Sequence, residues 1–170
     1  IFARLHESPI RILLATGIFP PDIGGPATYA KYLVEALPKR GQEVETLVYS
    51  QIAKRLPRGI SHFSYFLKVF RLARRSHVIL TTDTISAGLP VSLAAGILRK
   101  PYVLKIGGDY VWEQSFRRWG VKELLDAFLR QKYGFKISLM RNLQARVAKR
   151  AAKVIAPSRY LASVAESWGV

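Results

Sequence analysis

Ile10-Arg11-Ile12-Leu13-Leu14-Ala15-Thr16, then Gly17-Ile18-Phe19-Pro20-Pro21-Asp22-Ile23-Gly24-Gly25-Pro26-Ala27-Thr28-Tyr29, is the stretch on which the fold turns. The first seven residues are an apolar run with the length of a buried strand. Beyond Tyr29, Ala30, Leu33, Val34 and Leu37 recur at helical spacing, so the intervening residues join a strand to a helix. Pro26 suits the first helical position and Gly41 the stop after Lys39-Arg40. Two glycines before a helix let backbone N–H groups approach an anion, with the positive end of the helix dipole aimed at it. The same Gly-Gly-Pro is also an ordinary way to turn a chain, and the residues alone do not choose between the two.

Beyond this stretch, strand-like runs alternate with helical patterns. Strands are expected at 43–49, 77–82, 101–106 and 153–157. Helices are expected at about 27–39, 61–75, 86–99, 121–132 and 137–151, with a last one after Ser158, a good N-cap. The helix at 61–75 is read with Phe63, Phe66, Leu67 and Phe70 on its apolar face. Residues 51–61 read as basic and turn-rich, with room for a short edge strand. Unbroken apolar strands alternating with helices are the mark of an α/β, Rossmann-like three-layer sandwich with a mostly parallel sheet. Ligands of such sheets bind outside the carboxyl ends of the strands. The loops at 17–26, 83–85 and 107–113 all leave such ends, which makes Gly24, Gly25, Asp83, Gly107, Gly108, Asp109, Trp112 and Glu113 the candidate site. Asp109 follows two glycines, where the backbone leaves room for a substrate; helix capping explains the same residue. Asp83 reads equally as an N-cap, Trp112 as a stacking platform or packing, and Glu113 as a hydroxyl ligand or a first-turn acid.

The 170 residues fit one domain, and 49% hydrophobic with 22% charged is a globular composition. Absence of cysteine removes disulfides and thiolate chemistry. The longest weakly polar run, 85–98, contains Pro90 and falls short of the roughly 20 residues of a spanning helix. Residues 1–9 carry no legible signal peptide and read as a leader or the remnant of an engineered start. His6, His62 and His77 are scattered, so no metal site is expected. Neither a P-loop nor a Gly-x-Gly-x-x-Gly loop is present, which disfavours a P-loop nucleotidase and an ordinary dinucleotide dehydrogenase.

Charge is the outlying property. Twenty-seven Lys and Arg against 11 Asp and Glu give +16, a balance that calls for an anionic partner. From Arg117 to Lys153, 11 cations face only Glu123 and Asp126, interleaved with Trp119, Phe128, Tyr133 and Phe135 and preceded by Phe116. Cations with interfacial aromatics favour an anionic membrane surface, while nucleic acid is disfavoured because no binding motif for it is recognisable.

The opening stretch from Ile12 to Tyr29 resembles the start of the family-four retaining glycosyltransferases. Gly107-Gly108-Asp109-Tyr110-Val111-Trp112-Glu113 and Lys153-Val154-Ile155-Ala156-Pro157-Ser158 agree with that family in type and order. The resemblance spans about residues 10 to 170. It implies the N-terminal, acceptor-binding half of a GT-B fold, in which Gly24 and Gly25 lie near the donor diphosphate or the acceptor. Asp109 takes the place beside the reacting sugar, as catalytic-site support. The resemblance further implies a nucleotide-sugar donor as substrate, with no cofactor and no metal. The acceptor would be a sugar or lipid-linked molecule, reached from the cytoplasmic face of a membrane. On this reading the C-terminal donor-binding domain is missing, the chain alone is inactive, and its uncovered interdomain face can pair with a second copy. The alternative, from another class, is a non-catalytic basic α/β module that docks on anionic membrane or nucleic acid.

Overall fold

The computed structural model describes residues 8–170; the leader read at residues 1–9 falls almost wholly outside them. Five strands form one sheet in the order β2-β1-β3-β4-β5, every pair parallel. They are β1 (Arg11–Thr16), β2 (Glu43–Val48), β3 (Val78–Thr81), β4 (Tyr102–Lys105) and β5 (Lys153–Ile155). The helices are α1 (Gly25–Ala36), α2 (Tyr49–Ala53), α3 (Arg58–Ala73), α4 (Gly88–Leu98), α5 (Tyr110–Arg118), α6 (Leu125–Arg130), α7 (Phe135–Arg150) and α8 (Arg159–Ser167). The fold is the expected Rossmann-like α/β sandwich, doubly wound about β1.

The reason lies in the alternation of β1. Leu13 and Ala15 pack with Ile79 and with Tyr65, Val69 and Val91 of α3 and α4, while Leu14 packs with Ala30 and Leu33 of α1. Both faces of the strand are therefore sealed, and Leu13, Leu14 and Ala15 are wholly buried. Each large apolar side chain so placed contributes about 1.5–3 kcal/mol. A third cluster, of Val111, Val121 and Phe128, joins α5, α6 and the segment between them.

Several expectations are corrected. No strand forms within 51–61; α2 and the start of α3 occupy it, because Ile52 turns into the core and the Ser61 amide closes the first turn on Pro57 O at 2.8 Å. The apolar face of α3 is rotated. Tyr65, Val69 and Ala73 are buried and Phe66 and Phe70 pack beside them, whereas Phe63 and Leu67 face solvent. Helix α1 ends at Ala36 and passes into a 3-10 turn, Pro38–Arg40, stopped by Gly41 at φ 76°. Helix α6 is half the expected length. Of the aromatics in the basic section, Phe128 is buried and Trp119 and Tyr133 pack on its cluster, leaving Phe116 and Phe135 exposed.

Candidate functional site

With strand order 2-1-3-4-5, the chain reverses its winding between β1 and β3, and the crevice of a doubly wound sheet lies there. Both strands end in threonine-bearing turns that are tied together. The Thr16 hydroxyl donates to Ile18 O at 2.8 Å, so the 2.7 Å contact with Thr82 is a bond that Thr82 donates. Gly17 follows Thr16 and touches Asp83: a Cβ on Gly17 would stand 2.5 Å from Asp83 Oδ2. The loop beyond is fixed to α2, since Gly17 O accepts from Ser50 N at 2.9 Å and Asp22 pairs with Lys54 at 2.8 Å. Lys54 and Ser50 hold the Asp22 carboxyl below its ordinary range.

Gly24 is the N-cap of α1, at φ 154°, which a side chain would strain; a Cβ there would also meet Ile18 at 3.0 Å. Gly25 opens the helix with nothing within 4 Å of its would-be side chain, so its backbone faces open space. Pro26 reaches across to the loop after β4, 3.7 Å from a Cβ built on Gly107. Lys105 stands in the same corner, with Nζ 3.8 Å from that Cβ and 4.5 Å from the Tyr29 ring centre. Partial burial lowers the Lys105 pKa. The glycine loop and the loop after β4 thus converge, as the strand-end rule requires.

The opposite side of the corner is acidic. Asp83 Oδ1 accepts from the amides of Ile85 and Ala87, each at 3.0 Å, and holds the turn into α4, whose N-cap is Ala87. Asp109 is only 1% exposed and caps α5, with Oδ1 accepting from Trp112 N at 2.9 Å. In both residues the second oxygen, Oδ2, is buried without a hydrogen-bond partner. Glu113 turns back over Gly108, its Oε1 2.5 Å from where a Cβ would be. Burial raises the Glu113 pKa most, and the charges of Asp109 and Asp83 raise it further against Arg117. Burial likewise raises Asp83, opposed by its backbone donors. Tyr110, whose hydroxyl accepts from Ser86 at 3.0 Å, is raised by burial and then by the Asp83 charge. Asp83, Asp109 and Glu113 are therefore electrostatic neighbours on one wall.

Trp112 lies apart from this wall. Its indole N–H donates to Glu123 O at 2.9 Å and its ring lies 6.0 Å from Phe116, within the small cluster beneath α5. Two contributors were not anticipated. Lys105 is one; the other is Gln144 of α7, wholly buried, whose Oε1 accepts from Thr84 Oγ1 at 3.1 Å and from Val111 N at 3.3 Å. It ties the Asp83 loop to the start of α5. A polar residue between Met140 and Val147 on the inward face of α7 was the available signal. Among the described residues, no group of three or more His, Asp or Glu has a metal-holding arrangement. Two shallow clefts, one beside Arg11 and Glu43 and one beside Tyr102 and Arg150, lie at the amino ends of the strands, away from this corner.

No protein-family model and no curated protein matches the chain. Over 96% of its length it superposes on a solved structure, a protein assigned as a UDP-N-acetylglucosamine 2-epimerase from Listeria monocytogenes, with TM-score 0.59 and 13% identity. The likeness is one of fold. It makes the domain GT-B-like, and the chain spans 43% of that protein's length.

Proposed function

We propose that the chain is the acceptor-binding half of a GT-B-like enzyme acting on nucleotide sugars, and that its reaction is glycosyl transfer with retention. The observation that carries this reading is the pair of buried, unpartnered carboxylate oxygens, Asp83 Oδ2 and Asp109 Oδ2, at the corner where the glycine loop arrives. An unsatisfied buried acceptor costs about 1–3 kcal/mol, and a ligand hydroxyl returns it only where binding opens the contact that shields the oxygen, as Gly17 shields Asp83 Oδ2. Two such acceptors beside Glu113 suit a polyhydroxylated ligand. A bare phosphate, by contrast, is repelled by the same wall and suits only the Gly25–Lys105 side. In the family-four resemblance, Gly24 and Gly25 serve close approach of the donor or acceptor and Asp109 supports the sugar. Retention there uses no enzyme nucleophile, the departing phosphate helping to deprotonate the acceptor hydroxyl. The donor-binding half, on this reading, is supplied by a further domain.

The fold neighbour favours a second reading, in which a sugar nucleotide is epimerised rather than transferred. One experiment separates the two. Saturation-transfer NMR of the lone chain with an oligosaccharide panel and with UDP-sugars is expected to detect a saccharide, weakened about tenfold or more in Asp83→Asn and Asp109→Asn. Product is expected only when the donor-binding half is added. Turnover by the lone chain, or saccharide contacts indifferent to both variants, overturns the assignment; an epimerised nucleotide sugar without transfer moves it to the second reading.

A further inference from the structure

Helix α3 is apolar on two sides. Tyr65, Val69 and Ala73 point into the core, while Ile60, Phe63 and Leu67, spaced three and four residues apart, stand in water, Phe63 at 63% exposure. The neighbouring helix α4 repeats the arrangement: Val91, Ala94 and Ala95 are buried, and Leu93 and Ile97 are exposed, Ile97 at 65%. The two helices lie side by side with their ends in register. Lys100, just past α4, donates from Nζ to the carbonyls of Ala73, Arg74 and Ser76 at the end of α3. The two outward stripes consequently form one face.

Its rim is cationic. Arg71 continues the Phe63–Leu67 stripe by one helical turn, and Arg74, Arg75 and Arg99 are exposed at the shared end. From Thr46 to Gly108 the sequence holds ten Lys or Arg and a single acid, Asp83, whose Oδ2 is buried at the loop cluster. We propose that the α3–α4 face docks on an anionic lipid bilayer, with Ile60, Phe63, Leu67, Leu93 and Ile97 entering the headgroup–acyl boundary. Charge decides the occupant. A second copy of the chain would bring the same sign of charge, and a nucleic acid would leave five apolar side chains with nothing apolar to meet, whereas an anionic bilayer takes both. The docking is peripheral, as among the described residues no helix is long and apolar enough to cross a membrane. Helices α3 and α4 begin on the carboxyl-end side of the sheet, where the candidate site lies, so a docked face sets the site beside the lipid.

Because the chain has no cysteine, a single Phe63→Cys carrying an environment-sensitive dye reports on the face directly. Blue-shifted emission is expected with vesicles of mixed phosphatidylcholine and phosphatidylglycerol, and much less with phosphatidylcholine alone. Co-sedimentation of the unlabelled chain with the anionic vesicles is expected to weaken as salt rises from about 0.1 M to about 0.5 M. It should fall about tenfold for each of Phe63→Ser and Leu67→Ser. Arg71→Glu with Arg74→Glu should erase the preference for the anionic lipid, and circular dichroism checks that each variant is folded. The proposal is overturned by a dye that stays in water on bound vesicles or by binding indifferent to the Ser variants. It is equally overturned by a face that proves buried in a dimer by sedimentation, or by these residues acting on an oligonucleotide and not on vesicles.

Discussion

Asp109 divides its work between two oxygens, and the division can be tested by substitution. Oδ1 caps α5 through Trp112 N, and Oδ2 is buried with no partner. Asn keeps a capping oxygen and removes the charge; Ala removes both. Asp109→Ala is therefore expected to cost about 1 kcal/mol in urea unfolding, while Asp109→Asn stays near the parent stability. Both should lose the saccharide contacts in saturation-transfer NMR. Loss of those contacts only in the Ala variant reduces Asp109 to a cap. Glu113 gives a prediction in pH. Burial raises its carboxyl above the ordinary 4.5, so the native state binds this proton more tightly than the unfolded state. Stability from this group is then greatest at low pH and declines as pH climbs from the ordinary carboxylate value through the raised one. Glu113→Gln is expected to flatten that decline and to stabilise the protein near pH 7, read from urea midpoints across about pH 4 to 7. A decline as steep as in the parent removes Glu113 as its source. These acids and the glycines beside them could be found in the sequence because each follows a strand and precedes a helix, a position with a rule attached. Lys105 could not, and Gln144 gave only the faint mark of a polar residue between Met140 and Val147. One is a single cation at the end of a strand and the other a single amide on a helix, and neither forms a pattern until tertiary contacts exist.

Elements whose signal is local were legible, and elements made by tertiary contacts were not. The central strands β1, β3 and β4 announce themselves as short apolar runs with alternating or continuous burial, the edge strands β2 and β5 stay partly exposed, and Ser158 announces α8 by its cap, accepting from Leu161 N at 3.2 Å. Helix α2 has one turn and exists because Ile52 is buried and Asp22 is bonded to Ser50 and Lys54. Helix α6 stops at Arg130 because Gln131 goes extended and Arg141 takes the carbonyls of Leu129 and Gln131, at 2.9 and 3.0 Å. Periodicity at 121–132 cannot foresee a guanidinium arriving from another helix. The end of α3 is a third case, and it yields a prediction. The carbonyls of Ala73, Arg74 and Ser76 at that end are met by Lys100, with Ala73 O also accepting from Ser76 N at 3.2 Å. Lys100→Met keeps the aliphatic stem and drops the donors, so it is expected to cost about 1.5–3 kcal/mol in urea unfolding. Lys100→Arg should recover part of this. A Met variant of parent stability means that water caps the helix as well as Lys100 does.

On the scale of the whole molecule, charge works against the fold that packing secures. The sequence carries +16, yet the described residues contain just two ion pairs, Lys31 with Glu35 and Lys54 with Asp22. Lys31–Glu35 is an exposed pair one helical turn apart, worth about 0.3–0.5 kcal/mol. Attraction between charges is thus sparse, while repulsion among the unmatched cations is spread over the surface and opposes compaction. Salt screens both, but at about 0.15 M the screening length has fallen to about 8 Å, which cuts interactions over longer separations and leaves a direct contact such as Lys54 with Asp22, at 2.8 Å, screened least. Screening therefore removes more repulsion than attraction. The melting temperature is expected to rise by a few degrees between about 0.01 M and about 0.2 M NaCl, since 1 kcal/mol moves a domain of this size by about 2–4 °C. The same range of salt should loosen the chain from anionic vesicles. Opposite responses to one variable distinguish a surplus of charge held for a partner from charge spent on internal pairing. A melting temperature that falls with salt would show that pairs within the fold, rather than repulsion among its cations, dominate its electrostatics.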